Sequence, residues 1–253
     1  EKSFMASVTD SMSDFEAALR VYENVIDLVD YDTLGLEKQK SLSGDADKPD
    51  DLRSIYGVFV NKKAVCAGYA KATQYLLNKL GIECTYVVSK THAWNLVKLE
   101  GDYYHLDTTW GDSSNTKKSM SNSGRIGYNY FCITTEELLK IDEHIPTEDL
   151  PLPICTAEKC NYFRRLGLYF DKYDYERIKE ITCKSIRAGK KSIAFKFASC
   201  EEYDTAYSCL IDEGHFREIL QYSNLEPGMR VDTGFAYCCD DKTLTIEFML
   251  KLI

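Results

Sequence analysis

Three short segments of this 253-residue chain carry residues able to do nucleophilic chemistry. They are Val65-Cys66-Ala67-Gly68-Tyr69-Ala70, Thr91-His92-Ala93-Trp94-Asn95 and Tyr104-His105-Leu106-Asp107-Thr108-Thr109-Trp110. Cys66 stands where a loop enters a helix, and there the free backbone N–H groups and the positive end of the helix dipole stabilise a thiolate. Gly68 follows inside that helix at a cost of up to ~1 kcal/mol against Ala, which predicts that something approaches the backbone closely. A thiolate nucleophile needs a base, and the base needs an orienting group; His92 and Asp107 are the candidates. Singly, each has a plain structural reading. A Cys heading an apolar helix can be a small buried hydrophobe, a His on a strand a packing residue, and an Asp before Thr-Thr the cap of a strand end. Together they point to catalysis.

The elements around them must bring them together. Ser13 and Glu16 form a capping-box pattern, followed by Phe15, Ala18, Leu19, Tyr22, Ile26 and Val29 at helical spacing. The polar stretch Thr33 to Leu52 reads as a surface loop, and Val58 to Val65 leads into a helix over Cys66 to Leu80 closed by Gly81. Cys84 to Val88, Ala93 to Leu99 and Tyr103 to Asp107 alternate as strands, the last two joined by a two-residue turn at Glu100-Gly101. That turn sets Trp94 opposite Asp107 and His92 opposite Thr109. His92 and Asp107 then share a sheet face as diagonal neighbours, about 7–8 Å apart between backbones. A three-residue turn without a bulge would separate them onto opposite faces. His105 lies on the face of Asp107 and could serve as base only if the register slipped.

Trp94 and Trp110 flank the pair, as cleft walls or as core aromatics. Tyr56, ten residues before the thiol, could donate a hydrogen bond into the cleft. His144 and His215 sit in polar, helix-end contexts and read as solvent-exposed. Further on, a capped helix is expected at Thr134 to Lys140, with Glu137 completing the box, and Pro146, Pro151 and Pro153 mark a linker. After about Arg165 come a helix (Tyr173 to Arg187), a strand (Ser192 to Ala198), a helix capped by Ser199, and strands over Arg230 to Cys239 and Thr243 to Leu252.

Composition narrows the function classes. A formal charge of −9, with no run of Lys/Arg longer than two, argues against a phosphate-neutralising nucleic-acid surface. No stretch approaches the roughly 18 apolar residues of a membrane span. Ten cysteines lack any C-x-x-C or zinc-type His spacing, so no metal or cofactor is expected. Cys155 and Cys160 are the pair to test for a disulfide if the protein is exported.

Val-Cys-x-Gly-Tyr-Ala, His-Ala-Trp-Asn and Tyr-His-Leu-Asp-Thr-Thr-Trp-Gly-Asp, in this order and spacing, resemble the bacterial transglutaminase-like superfamily, with its papain-related fold, over roughly Ser13 to Asp112. The resemblance implies Cys66 as nucleophile, His92 as base and Asp107 as the group that orients the imidazole. Ser89 stands where many relatives have Gly. The expected fold is α+β: a papain-like core of N-terminal helices on an antiparallel sheet over 1–145, a Pro-containing linker over 146–165 and a small α/β domain over 166–253. The expected function is cysteine-dependent acyl transfer or hydrolysis of peptide or protein amides, with hydrolysis favoured over cross-linking. The alternative is a non-catalytic protein- or cell-wall-binding module that keeps the fold. The expected partner is a peptide or protein substrate, a cell-wall peptide being one candidate. The family and the absent start methionine suggest an extracellular or cell-surface location, with the cytoplasm left open.

Overall fold

The computed structural model describes residues 8, 11–41, 51–112, 126–140, 144–147, 151–225 and 230–253. The chain divides into two compact units, Glu1–Tyr162 and Phe163–Ile253. Within the stretch 146–165, Cys155 exchanges backbone and side-chain hydrogen bonds with Thr135.

In the first unit, helix α1 (Asp14–Leu28) starts where the sequence predicts, with Ser13 and Glu16 forming a reciprocal capping box. Its buried stripe includes Phe15, Val21, Tyr22 and Val25, and Tyr22 and Phe15 meet Phe131 edge to face. A short strand β1 (Asp30–Tyr31) follows, and then helix α2 (Thr33–Ser41), where a loop was expected. Its sequence is polar and contains Gly35, so no apolar period announces it. Residues 42–50 of that expected loop lie outside the described residues. A 3-10 turn (Asp51–Arg53) and a π-helical turn (Gly57–Asn61) lead to β2 (Lys63–Ala64), which pairs in parallel with β1.

Helix α3 (Cys66–Lys79) opens directly at Cys66 and ends with Leu80 before Gly81 at φ 77°. The left-handed conformation of Gly81 is the sequence-predicted stop. Ala67, Tyr69, Ala70, Ala72, Thr73, Leu76 and Leu77 bury its inner face. Strands β3 (Cys84–Val88), β4 (Ala93–Leu99), β5 (Asp102–Leu106) and β6 (Phe131–Ile133) form one antiparallel sheet in chain order. The β4–β5 turn has Glu100 at φ 51° and Gly101 at φ 93°, the paired positive values of a two-residue hairpin. Leu99 pairs with Asp102 and Asn95 with Leu106, as expected. Helix α4 (Thr108–Gly111) follows β5, and α5 (Thr135–Leu138) carries the capping box of Thr134 and Glu137.

The second unit has a four-stranded sheet ordered β7-β8-β10-β9, from β7 (Tyr169–Phe170), β8 (Ser192–Phe197), β9 (Ala236–Asp240) and β10 (Thr245–Met249). Only β7 and β8 run parallel. Helices α6 (Tyr175–Arg187) and α7 (Cys200–Tyr207) match expectation, whereas α8 (His215–Ser223) was not anticipated. Its apolar residues Phe216, Ile219 and Leu220 have helical spacing, but its N-cap is Gly214 at φ 83° instead of a side-chain cap. No helix among the described residues is long and apolar enough to cross a membrane.

Candidate active site

The site is built on two supports: the N-terminus of α3 and the β4–β5 hairpin. Val65 is extended, and its N–H is held by the carbonyl of Leu52 at 2.9 Å, so the chain turns into the helix at Cys66. The Cys66 side chain is partly buried and packs beside Tyr86 and Val88 on a cluster of Ala67, Ala70 and Ala93. Gly68 has an explanation other than substrate approach. A Cβ there would lie 2.7 Å from both the Ala64 Cβ and the Leu52 carbonyl oxygen, so the glycine admits the chain's own 52–54 segment.

The hairpin delivers the other pair. His92 Nε2 lies 2.6 Å from Asp107 Oδ2. The second ring nitrogen of His92, Nδ1, is then the one left for the thiol. Asp107 uses its two oxygens differently. Oδ1 caps α4, accepting from the Thr109 N–H at 2.8 Å and the Trp110 N–H at 3.1 Å, while Oδ2 faces imidazole. The strand-end cap and the orienting carboxylate are one residue performing both roles. Burial works against a charged His92, but the Asp107 carboxylate, with help from Cys66, raises its pKa to about 10. Burial likewise opposes ionisation of Asp107, yet the His92 charge and hydrogen bonds from His144 and His92 hold its carboxyl well below the usual range.

Trp94 is buried with its ring nearly parallel to His92, centroids 6.1 Å apart, and Trp110 meets His92 edge-on at 6.2 Å. Both therefore wall the imidazole. Tyr56, 53% exposed, makes no hydrogen bond to Cys66, His92 or Asp107 among the described residues. His105 is buried between partners: Trp94 Nε1 donates to its Nδ1 at 3.2 Å, and its Nε2 sits 3.1 Å from Thr135 Oγ1. Burial lowers its pKa to about 4, so it stays neutral beside Trp94.

Other motif residues lock the supports together. Buried Asn95 donates from Nδ2 to the Ala70 carbonyl at 2.9 Å, tying β4 to α3. The Tyr69 hydroxyl lies 2.8 Å from both the Val29 carbonyl and the Asp112 carboxylate, and Thr73 and Thr108 hydroxyls meet at 3.1 Å. Ser89 Oγ accepts from the His92 N–H at 2.9 Å, a contact that glycine could not make.

The largest departure from the sequence reading is His144. Expected at the surface, it is fully buried, with Nε2 2.6 Å from the same Asp107 oxygen that His92 uses. The polar residues around it in sequence conceal this, because its partner lies 37 positions earlier. Tyr31 was also missed. Strand β1 sets it opposite Ala64, with its hydroxyl near the Cys66 backbone, and burial followed by the charge of Cys66 raises its pKa.

Among the described residues, two groups offer three possible metal-ligating atoms within 4.8 Å of one another. In the first, His92, Asp107 and His144, both contacts to the carboxylate are 2.6 Å, the length of charge-assisted hydrogen bonds, and we read the group as hydrogen-bonded. The second, Cys209, Glu213 and His215, lies in the C-terminal unit with Glu213 and His215 side chains 55% and 33% exposed. The structure links none of the ten cysteines in a disulfide, and Cys155 and Cys160 are both buried. Burial pushes the Cys84 thiol up to about 12 and raises Cys132, Cys155 and Cys183, which suits packing residues.

A thiol at a helix N-terminus beside a buried His–Asp pair is a candidate cysteine centre. Residues 2–108 match the model of the Transglutaminase-like superfamily, so this part of the chain is similar to that superfamily. Its members as a class carry out cysteine-dependent acyl transfer or peptide hydrolysis. Among curated proteins, the chain is similar to "Kyphoscoliosis peptidase" of Mus musculus, at 26% identity over 153 residues, and to that of Homo sapiens, at 24% over 153 residues. Each alignment takes in 54% of this chain but 22% of the relative, so the chain spans about a fifth of their length. A solved structure described as "Crystal structure of a TGase" aligns over 51% of this chain and 34% of its own, with 19% identity and a TM-score of 0.37.

Proposed function

We propose that the N-terminal unit hydrolyses peptide or protein amide bonds through a thioester on Cys66. The observation that carries this reading is the 2.6 Å contact of His92 Nε2 with Asp107, which leaves Nδ1 for the thiol at the head of α3. The Cys66 thiolate attacks the amide carbonyl carbon, and its oxygen, becoming negative, is met by backbone N–H groups at the helix N-terminus, including that of Cys66. The C–N bond then breaks, with His92 giving its proton to the leaving amine, and the thioester remains. Water attacks that thioester while His92 takes a proton, releasing the carboxylic acid and the free thiol. Asp107 holds the ring and stabilises the imidazolium throughout. Trp94 and Trp110 shield the imidazole from bulk water.

Hydrolysis is favoured over cross-linking because both curated relatives bear the name peptidase. The competing idea of a binding module accounts for the helix cap made by Asp107 but leaves the buried imidazole beside Cys66 without a purpose. The test is to incubate the protein with a peptide library, quench in acid and search for an acyl adduct by mass spectrometry. An adduct on Cys66, absent from Cys66→Ser, supports the reading, and release of acid without amine incorporation supports hydrolysis. Turnover of an identified peptide by Cys66→Ser would overturn it.

A further inference from the structure

We propose that His144 is a positioning residue of this centre: as a neutral ring with its proton on Nε2, it donates a second hydrogen bond to Asp107 Oδ2 and fixes the carboxylate that holds His92. The inference rests on the Cys66–His92–Asp107 reading and extends it to a fourth side chain.

Geometry carries the argument. Asp107 Oδ2 receives His92 and His144, each at 2.6 Å, while Oδ1 is saturated by two backbone N–H groups. All four contacts fix the carboxylate plane, and without His144 the Oδ2 side would be held by the catalytic imidazole alone. His144 is enclosed by rings, with centroids 5.1 Å from Trp94, 5.3 Å from Trp110, 6.3 Å from Tyr130 and 4.7 Å from His92. Its Nδ1 is buried and has no hydrogen-bond partner. An imidazolium there would bury an unpaired N–H, whereas the neutral Nε2–H tautomer leaves only an unused acceptor. A neutral donor suits the task. It immobilises the carboxylate without cancelling the negative charge that His92 needs.

The titratable groups facing this ring are Asp107, His92, His105 and Tyr130, from the end of β5, the turn before β4 and the turn leading into β6. The chain just after His144 is itself anchored. Pro146 forms a bridge with Ser89, and the Thr147 N–H donates to the Val88 carbonyl at 3.2 Å. Residues 144–147 are thus fastened to the edge strand beside the loop that bears His92.

The experiment uses the full chain labelled with 15N-histidine. Two-bond proton–nitrogen correlations report the tautomer of each histidine, and the expected result for His144 is the neutral Nε2–H form. In parallel, the rate of Cys66 alkylation by iodoacetamide is compared among the unsubstituted chain, His144→Gln and His144→Leu. The Gln amide can donate to the same oxygen, and we expect it to keep the rate within about threefold. Leu cannot donate, and a fall of about tenfold or more is expected, the scale of a lost hydrogen bond to a charged group. An Nδ1–H or doubly protonated His144, or equal rates for the Gln and Leu variants, would overturn the proposal. If the Leu variant does not fold, the tautomer and the Gln rate still decide. Failure of the triad reading looks different: Cys66 of the unsubstituted chain would then alkylate no faster than a model thiol, whatever His144 does.

Discussion

The β4–β5 hairpin and the short segment 144–147 each supply a histidine to one carboxylate oxygen, by opposite routes. In the hairpin, His92 and Asp107 are 15 residues apart and a two-residue turn fixes their meeting, so strand register alone brings them to 2.6 Å. His144 reaches the same oxygen from 37 residues away, through a bridge to Ser89 and a box of aromatic rings. Local geometry therefore sets which groups can react, and long-range packing sets how firmly they are held. One carboxylate serves both because its second oxygen is committed to capping α4.

That contrast can be broken most severely at the turn. Inserting one glycine after Gly101 shifts β5 by one residue and moves Asp107 to the opposite face from His92. Turnover of a peptide substrate should fall by about 10³-fold or more, as on removal of a triad member, while the circular dichroism of the helices is retained. Asp107→Ala strikes both routes at once. We expect a comparable loss in kcat together with about 1–3 kcal/mol of stability, since the cap and two buried histidine contacts go together. Urea denaturation checks the second part.

The pH dependence of stability separates the partners. His92 is raised from 6.5 to about 10 in the folded chain, so its contribution is complete below about pH 6.5 and is lost as pH rises through about 10. The Tm gap between the unsubstituted chain and His92→Asn should narrow over that interval. Asp107, held low by its partners, has the opposite sign: its contribution is present above its ordinary value of 3.8 and is lost as the solution is acidified. The smallest effect belongs to the turn residue Glu100, which adopts φ 51°. Asn tolerates that region better, and Glu100→Asn should raise stability by a few tenths of a kcal/mol to ~1 kcal/mol without altering turnover.

What the sequence made legible follows the same division. The capping boxes at Ser13 and Thr134, the Cys66 helix start and the hairpin register are all local patterns, and the structure agrees with each. Helix α2 escaped because it has almost no apolar face, and α8 because Gly214 replaces a recognisable cap. Tyr31 reaches the Cys66 backbone through a parallel pairing of two-residue strands, which leaves no period to read. His144 lies among polar residues, and only tertiary packing turns it inward. Gly68 was rightly singled out as a site of close approach, but the approaching group is the carbonyl of Leu52.

If His92 and Asp107 make Cys66 a reactive thiolate, the rate of Cys66 alkylation by iodoacetamide near neutral pH, located by mass spectrometry, shows it directly. Labelling should be faster than that of a model thiol and of the other nine cysteines, with the advantage lost in His92→Ala. Labelling at the rate of a model thiol, unchanged by His92→Ala, would contradict it.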